Sequence, residues 1–189
     1  MKALLTATPG QTVGPFFGYA LPFARGNELV PPGSPGAVQL HGVVADGAGQ
    51  PVPDALLEIW QADGNGRIPQ AAGSLHRDGW TFTGWGRAAT DDGGHYSFST
   101  VVPGPVEPGA APFICVTVFA RGLLNRLFTR AYPPGDRLAG DALLNSLPPE
   151  RRDTLIAVRD GNALRFDVQL QSSPAKPETV FLRYGGRQR

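Results

Sequence analysis

The sequence predicts an all-β protein, a β-sandwich of mostly antiparallel strands with an irregular N-terminal arm and at most short helices. Three observations carry this expectation. The 189 residues include 25 glycines and 19 prolines with no fixed period, a composition that suits a turn-rich β protein better than a helical one. Those residues alternate with short aliphatic runs, unlike the composition of a disordered chain. In the clearest run, Leu164, Phe166, Val168 and Leu170 alternate with Arg165, Asp167 and Gln169, the period of two expected of a half-buried strand.

The elements follow in order. Residues 1–36 contain Pro9, Pro15, Pro22, Pro31, Pro32 and Pro35. Their fixed φ angles and missing amide donors forbid long regular structure, so this arm, unstable alone, is expected to lie along something else. Residues 37–189 form one sandwich domain, long enough to bury a core. Strands are expected at Ala37–Val44, Ala55–Gln61, His95–Val101, Ile114–Ala120, Leu127–Tyr132, Thr154–Val158, Leu164–Leu170 and Thr179–Tyr184. Turn residues separate the runs: Asp46-Gly47, Asp92-Gly93-Gly94, Pro103-Gly104-Pro105 and Asp160-Gly161-Asn162. Helix is expected only around Asp141–Leu147 or Pro149–Asp153.

Composition narrows the function. A net charge of +1 leaves no basic footprint for nucleic acid or an anionic membrane. No apolar run approaches the length of a bilayer span. The opening MKALLTATPGQTVGPFF has one lysine and a short apolar patch, too weak for a signal peptide. The single cysteine, Cys115, excludes an internal disulfide framework. A cytoplasmic protein with no nucleic-acid or membrane partner is expected.

Residues 49–68, GQPVPDALLEIWQADGNGRI, read as a Pro/Gly turn, a strand and a second turn through Asp63, Gly64, Asn65 and Gly66. The run resembles the signature of intradiol ring-cleavage dioxygenases, G-x-P-V-x-x-A-x-x-E-x-W-Q-A-x-x-x-G-R-Y, which ends on an iron-binding tyrosine. Here that position is Ile68. Phe82–Arg87, Thr90-Asp91, Tyr96-Ser97-Phe98 and Leu164–Asp167 are further matches, so the resemblance covers nearly the whole chain.

Enzymes of that family hold a non-haem ferric ion with two tyrosines and two histidines. A trivalent cation lowers a phenol's pKa, so tyrosine binds as a charge-cancelling phenolate. Histidines spaced H-x-H on a strand share one face, roughly 7 Å apart. Matched to that pattern, this chain has Ile68 and Val106 at the tyrosine positions and Phe113 and Cys115 at the histidine positions. No metal site is expected in it. His41, His76 and His95 lie 35 and 19 residues apart, without ligand spacing. Tyr19, Tyr96, Tyr132 and Tyr184 are explained by packing, and Cys115 as a small buried apolar residue.

The resemblance therefore implies a subunit that carries no iron ligand or catalytic residue of its own. It would pair with an iron-bearing β chain, which holds the Fe(III), in a higher αβ oligomer. Thr12, Gly14, Pro15 and Phe16, in the segment T-V-G-P-F-F, resemble arm residues that line the β chain's substrate pocket. A glycine there lets the backbone approach a ligand, and Phe16 keeps the ring but not the hydroxyl of the tyrosine common at that position. On its own residues, the segment reads equally as a Gly-Pro turn with two aromatics docked on the core. Within A-R-G-L-L-N-R-L-F-T-R-A-Y, residues 120–132, Arg130 matches the residue extended toward the substrate carboxylate. A planar, permanently charged fork suits that task, although capping a carbonyl or pairing with a surface acid would serve the spacing as well. Arg121 and Arg126 are expected in solvent or at an interface. The implied reaction opens 3,4-dihydroxybenzoate between its hydroxyls with dioxygen, giving 3-carboxy-cis,cis-muconate. Two other classes stay open at this point: a non-catalytic transthyretin-like binding module, and a metal-free hydrolase or isomerase, for which no Ser-His-Asp or paired-carboxylate spacing is visible.

Overall fold

The computed structural model describes residue 14 and residues 16–70 and 77–183; Thr12, Pro15, His76 and Tyr184 lie outside the described residues. The described strands are β1 (Ala37–Ala45), β2 (Leu56–Gln61), β3 (Trp85–Ala89), β4 (His95–Val101), β5 (Ile114–Phe119), β6 (Leu127–Ala131), β7 (Val158–Asp160), β8 (Ala163–Arg165) and β9 (Val168–Gln169). One sheet has the order β4-β1-β8-β7, with β9 also on β1; the other has the order β3-β2-β5-β6. The second sheet is antiparallel throughout, whereas β8 and β9 run parallel to β1 in the first. The all-β sandwich is therefore present, with one mixed sheet.

The core lies between the sheets. Leu40, Val44, Phe98 and Leu164 from the first meet Leu57, Ile59, Val116 and Val118 from the second. Alternation then decides what the second sheet shows on its other face. Ile59 opposite Val116 and Leu57 opposite Val118 point inward. The intervening residues form cross-strand rows outside, Trp85–Trp60–Cys115–Arg130 and Arg87–Glu58–Thr117–Phe128. A one-residue slip would exchange these sets, so burial of one face pins the other.

Several expected elements differ from those observed. The run Leu164–Leu170 is two short strands. Its alternation holds, with Leu164, Phe166 and Val168 buried, but the ladder lapses at Asp167. There the amide of Val43 donates to the Asp167 carboxylate at 3.1 Å. A Cβ at Gly42 would come within 2.0 Å of the Phe166 carbonyl oxygen, so only glycine permits that approach. Within Thr154–Val158 the chain makes a 3-10 turn, Asp153–Leu155, and the strand begins at Val158. The described part of Thr179–Tyr184, residues 179–183, contributes one bridge, Leu182 to Phe128. The Thr179 amide donates to the Gln169 carbonyl at 3.0 Å, and the Thr129 hydroxyl donates to the Val180 carbonyl at 2.8 Å. Strand β3 was not expected, since W-G-R-A-A has a glycine and two alanines where β-formers are usual.

The helices are single turns: α1 (Phe17–Ala20), α2 (Ala142–Asn145) and α3 (Pro149–Arg152). Asp141 caps α2 by accepting from the Leu144 amide at 2.9 Å. Among the described residues no helix is long and apolar enough to cross a membrane. Part of the N-terminal region lies on this chain's own sheet edges. Gly26 accepts from the Arg87 amide at 2.8 Å and Asn27 from the Ser99 amide at 2.9 Å, so the segment joins the edges of β3 and β4.

Candidate functional site

The outer face of the β3-β2-β5-β6 sheet carries a cleft of about 640 Å³, and its lining includes Ile68, Val106, Phe113 and Cys115 together with Trp60 and Arg130. All four positions matched to metal ligands thus converge on one place. Two turns bring the first pair together. After β2, the Asp63 carboxylate accepts from the amides of Asn65 at 2.8 Å and Arg67 at 2.9 Å, closing an Asx-type turn. The Gly104 amide donates to the Asp63 carbonyl at 2.8 Å, docking the Pro103-Gly104-Pro105 turn against it. Gly66 has φ 82°, and a Cβ there would lie 1.9 Å from the Pro105 carbonyl oxygen. That glycine lets the turns touch, which sets Ile68 beside Val106. Phe113 enters β5 and Cys115 lies within it, opposite Trp60 on one side and Arg130 on the other.

Arg130 is held from two directions. Its guanidinium carbon sits 3.9 Å from the centroid of the Phe113 ring, within the range of a cation–π contact. Its Nη1 donates to the Tyr132 hydroxyl at 3.1 Å. That hydroxyl donates in turn to the Asp141 carboxylate at 3.3 Å, the carboxylate that also caps α2. Tyr132 is fully buried, in a small cluster with Leu144, Leu155 and Val180. Burial pushes its hydroxyl above the ordinary phenol range, with the Arg130 hydrogen bond pulling the other way. The Cys115 thiol is likewise pushed up by burial and drawn down by the charge of Arg130.

Gly14 and Phe16 are exposed, and Phe17 is buried with its ring 6.3 Å from that of Phe119. Arg87 donates to the Leu21 carbonyl at 2.8 Å. At the same end of the sheet Arg121 Nε donates to the buried Asp54 carboxylate at 3.0 Å. Arg126 lies over the Phe128 ring at 5.0 Å. Phe119 is four residues along β5 from Cys115, roughly 13 Å at strand rise. The start of α1 and Arg130 therefore share one face of one sheet, at opposite ends of it.

The cleft does not fit a ferric ion. Ile68, Val106 and Phe113 offer no donor atom and Cys115 one soft sulfur, whereas a hard cation takes oxygen and imidazole ligands. Of the two carboxylates that also line the cleft, Glu107 and Asp141, Asp141 is engaged by the Tyr132 hydroxyl and the Leu144 amide. Among the described residues no group of three or more His, Cys, Asp or Glu side chains could hold a metal. Sequence reasoning missed Tyr132 and Asp141 as supports of Arg130. The signal for Tyr132 was present, because R-x-Y on a strand puts both side chains on one face.

Comparison with known proteins bears on the family and the fold. A family model described as Dioxygenase matches residues 13–116. The protocatechuate 3,4-dioxygenase alpha chain of Burkholderia cepacia is 40% identical over 196 residues, covering 94% of this chain and 97% of its own length. The protocatechuate 3,4-dioxygenase beta chain of the same organism is 35% identical, over 74% of this chain and 66% of its own. Among solved structures, the dioxygenase domain of a dioxygenase carbohydrate-binding protein fusion from Streptomyces sp. SirexAA-E superposes with a TM-score of 0.57 at 28% identity. It covers 88% of this chain and 99% of that domain. Joined to the motif run and the two-sheet sandwich, these likenesses establish that the chain belongs to the intradiol ring-cleavage dioxygenase family.

Proposed function

We propose that this chain is the α-type subunit of a protocatechuate 3,4-dioxygenase and completes the substrate pocket of an iron-bearing β chain. The observation that carries the reading is the cleft. Every position that would hold the metal lacks a suitable ligand, yet all four still gather around one arginine. Kinship to both an alpha and a beta chain supports a partner built on the same fold. In this reading the β chain binds the Fe(III), and this chain supplies neither a metal ligand nor a general base. The assembly, a higher αβ oligomer in the cytoplasm, opens 3,4-dihydroxybenzoate with dioxygen to 3-carboxy-cis,cis-muconate.

The N-terminal arm, residues 1–36, would reach the partner, with Thr12, Gly14, Pro15 and Phe16 as pocket wall. A Cβ at Gly14 would meet only the Phe16 ring, at 3.8 Å, among the described residues. The described residues therefore set no need for glycine at this position. Arg130 would face the substrate carboxylate, and fixing the substrate in this way supplies part of a rate enhancement. The outer face supports an obligate partner. Trp60, Ile68 and Val106 are each about half exposed around the cleft, an apolar patch of the kind that marks an interface.

Co-expression with a β chain tests the reading. Ring cleavage of 3,4-dihydroxybenzoate is expected only when both chains are present. Gly14→Val is expected to lower kcat/KM about tenfold or more by displacing the substrate. Turnover by this chain alone, or full activity of the β chain without it, would overturn the proposal.

A further inference from the structure

We propose that Phe113 and Tyr132 are positioning residues for Arg130, so that a place where the family keeps an iron-binding histidine now serves as a platform for the carboxylate-recognising arginine. This rests on the reading of Arg130 given above and deepens it.

A long arginine loses rotamer freedom when it must hold one carboxylate geometry, and that cost weakens recognition unless the fork is set beforehand. Here it is set. The guanidinium lies over the Phe113 ring at 3.9 Å, which fixes its plane. The Tyr132 hydroxyl takes Nη1 at 3.1 Å, which fixes its rotation about that plane. Tyr132 is itself immobile, being fully buried and anchored to Asp141 at 3.3 Å. Its ring also meets that of Phe113, 5.7 Å between centroids, so platform and post brace each other. An imidazole bound to a cation would share that cation's positive charge, so its face would attract the guanidinium less than the Phe113 ring does. Loss of the ligand and gain of the platform are thus one change in the surface. Neither Phe113 nor Tyr132 needs to touch substrate; both act through the arginine.

The test uses the αβ assembly and the ratio of kcat/KM for 3,4-dihydroxybenzoate to that for unsubstituted catechol. Arg130→Gln is expected to lower the ratio about a hundredfold, and Tyr132→Phe about tenfold, chiefly through the KM of the carboxylated substrate. Phe113→Leu keeps the volume and removes the ring face, and a fall of about fivefold is expected. Asp141→Asn retains a capping side chain and is expected to give the smallest change. Thermal melting and co-elution of the two chains accompany each variant. If Arg130→Gln leaves the ratio intact, the underlying role of Arg130 is wrong. If Arg130→Gln collapses the ratio but Tyr132→Phe and Phe113→Leu do not, the positioning role alone is overturned. A variant that melts lower while keeping the wild-type ratio would show a purely structural role.

Discussion

The two faces of the β3-β2-β5-β6 sheet are made by the same strands, one residue out of step, and they do different work. Inward, Leu57, Ile59, Val116 and Val118 are sealed against the opposite sheet. Outward, the same strands present an ion pair, a half-exposed tryptophan, a thiol and an arginine braced by aromatic neighbours. The inner face is what any sandwich of this size needs. On the outer face the four residues matched to ligand positions line one cleft, gathered by turns that include the Gly66–Pro105 contact. Strand alternation separates the two, so a site can be rebuilt without disturbing the core beneath it.

That separation has measurable consequences. Ile59→Ala, on the inner face, is expected to destabilise the fold by about 3 kcal/mol through lost burial and a cavity, read by chemical denaturation. One register step away, Glu58→Gln weakens the pair with Arg87, whose Nε donates to Glu58 at 2.9 Å. Both groups are mostly but not fully buried, so a cost of about 2 kcal/mol is expected in the same assay. Trp60→Ser removes apolar area from the outer face and is expected to change stability by less than about 1 kcal/mol, while weakening association with the β chain in a co-purification or sedimentation measurement. A stability loss equal to that of Ile59→Ala would mean that Trp60 belongs to the core.

Cys115 reports on the same face through pH. Burial raises its thiol pKa and Arg130 lowers it, so alkylation is expected to rise at higher pH than for a free thiol. In Arg130→Gln the rise moves higher still. By linkage, the contribution of this group to stability is fully present below the ordinary thiol pKa and declines as pH climbs through the raised value. An alkylation profile that does not move in Arg130→Gln would contradict the closeness of the two side chains.

Much of this was legible beforehand, for reasons that differ by residue. The alternation at Leu164–Val168 announced a half-buried strand, and burial bears it out, but nothing local announced that Asp167 would replace a backbone acceptor and divide it. Strand β3 was hidden because its residues are chosen for packing against neighbours rather than for β propensity. The motif pointed to Ile68, Val106, Phe113 and Cys115, yet their convergence depends on contacts between turns about 40 residues apart, which no short window contains. Tyr132 was read as packing. It does pack, and its hydroxyl does more than that.

As proposed above, this chain is a scaffold and pocket subunit whose metal lies elsewhere. The most direct measurement is iron content, with the visible phenolate-to-ferric absorption band, on the chain purified alone and after co-expression with a β chain. A colourless, iron-free chain alone and a coloured complex with iron in proportion to the β chain is the result predicted. Iron bound tightly by the lone chain would contradict it, because the residues lining the cleft would then have to hold a metal that their chemistry does not fit.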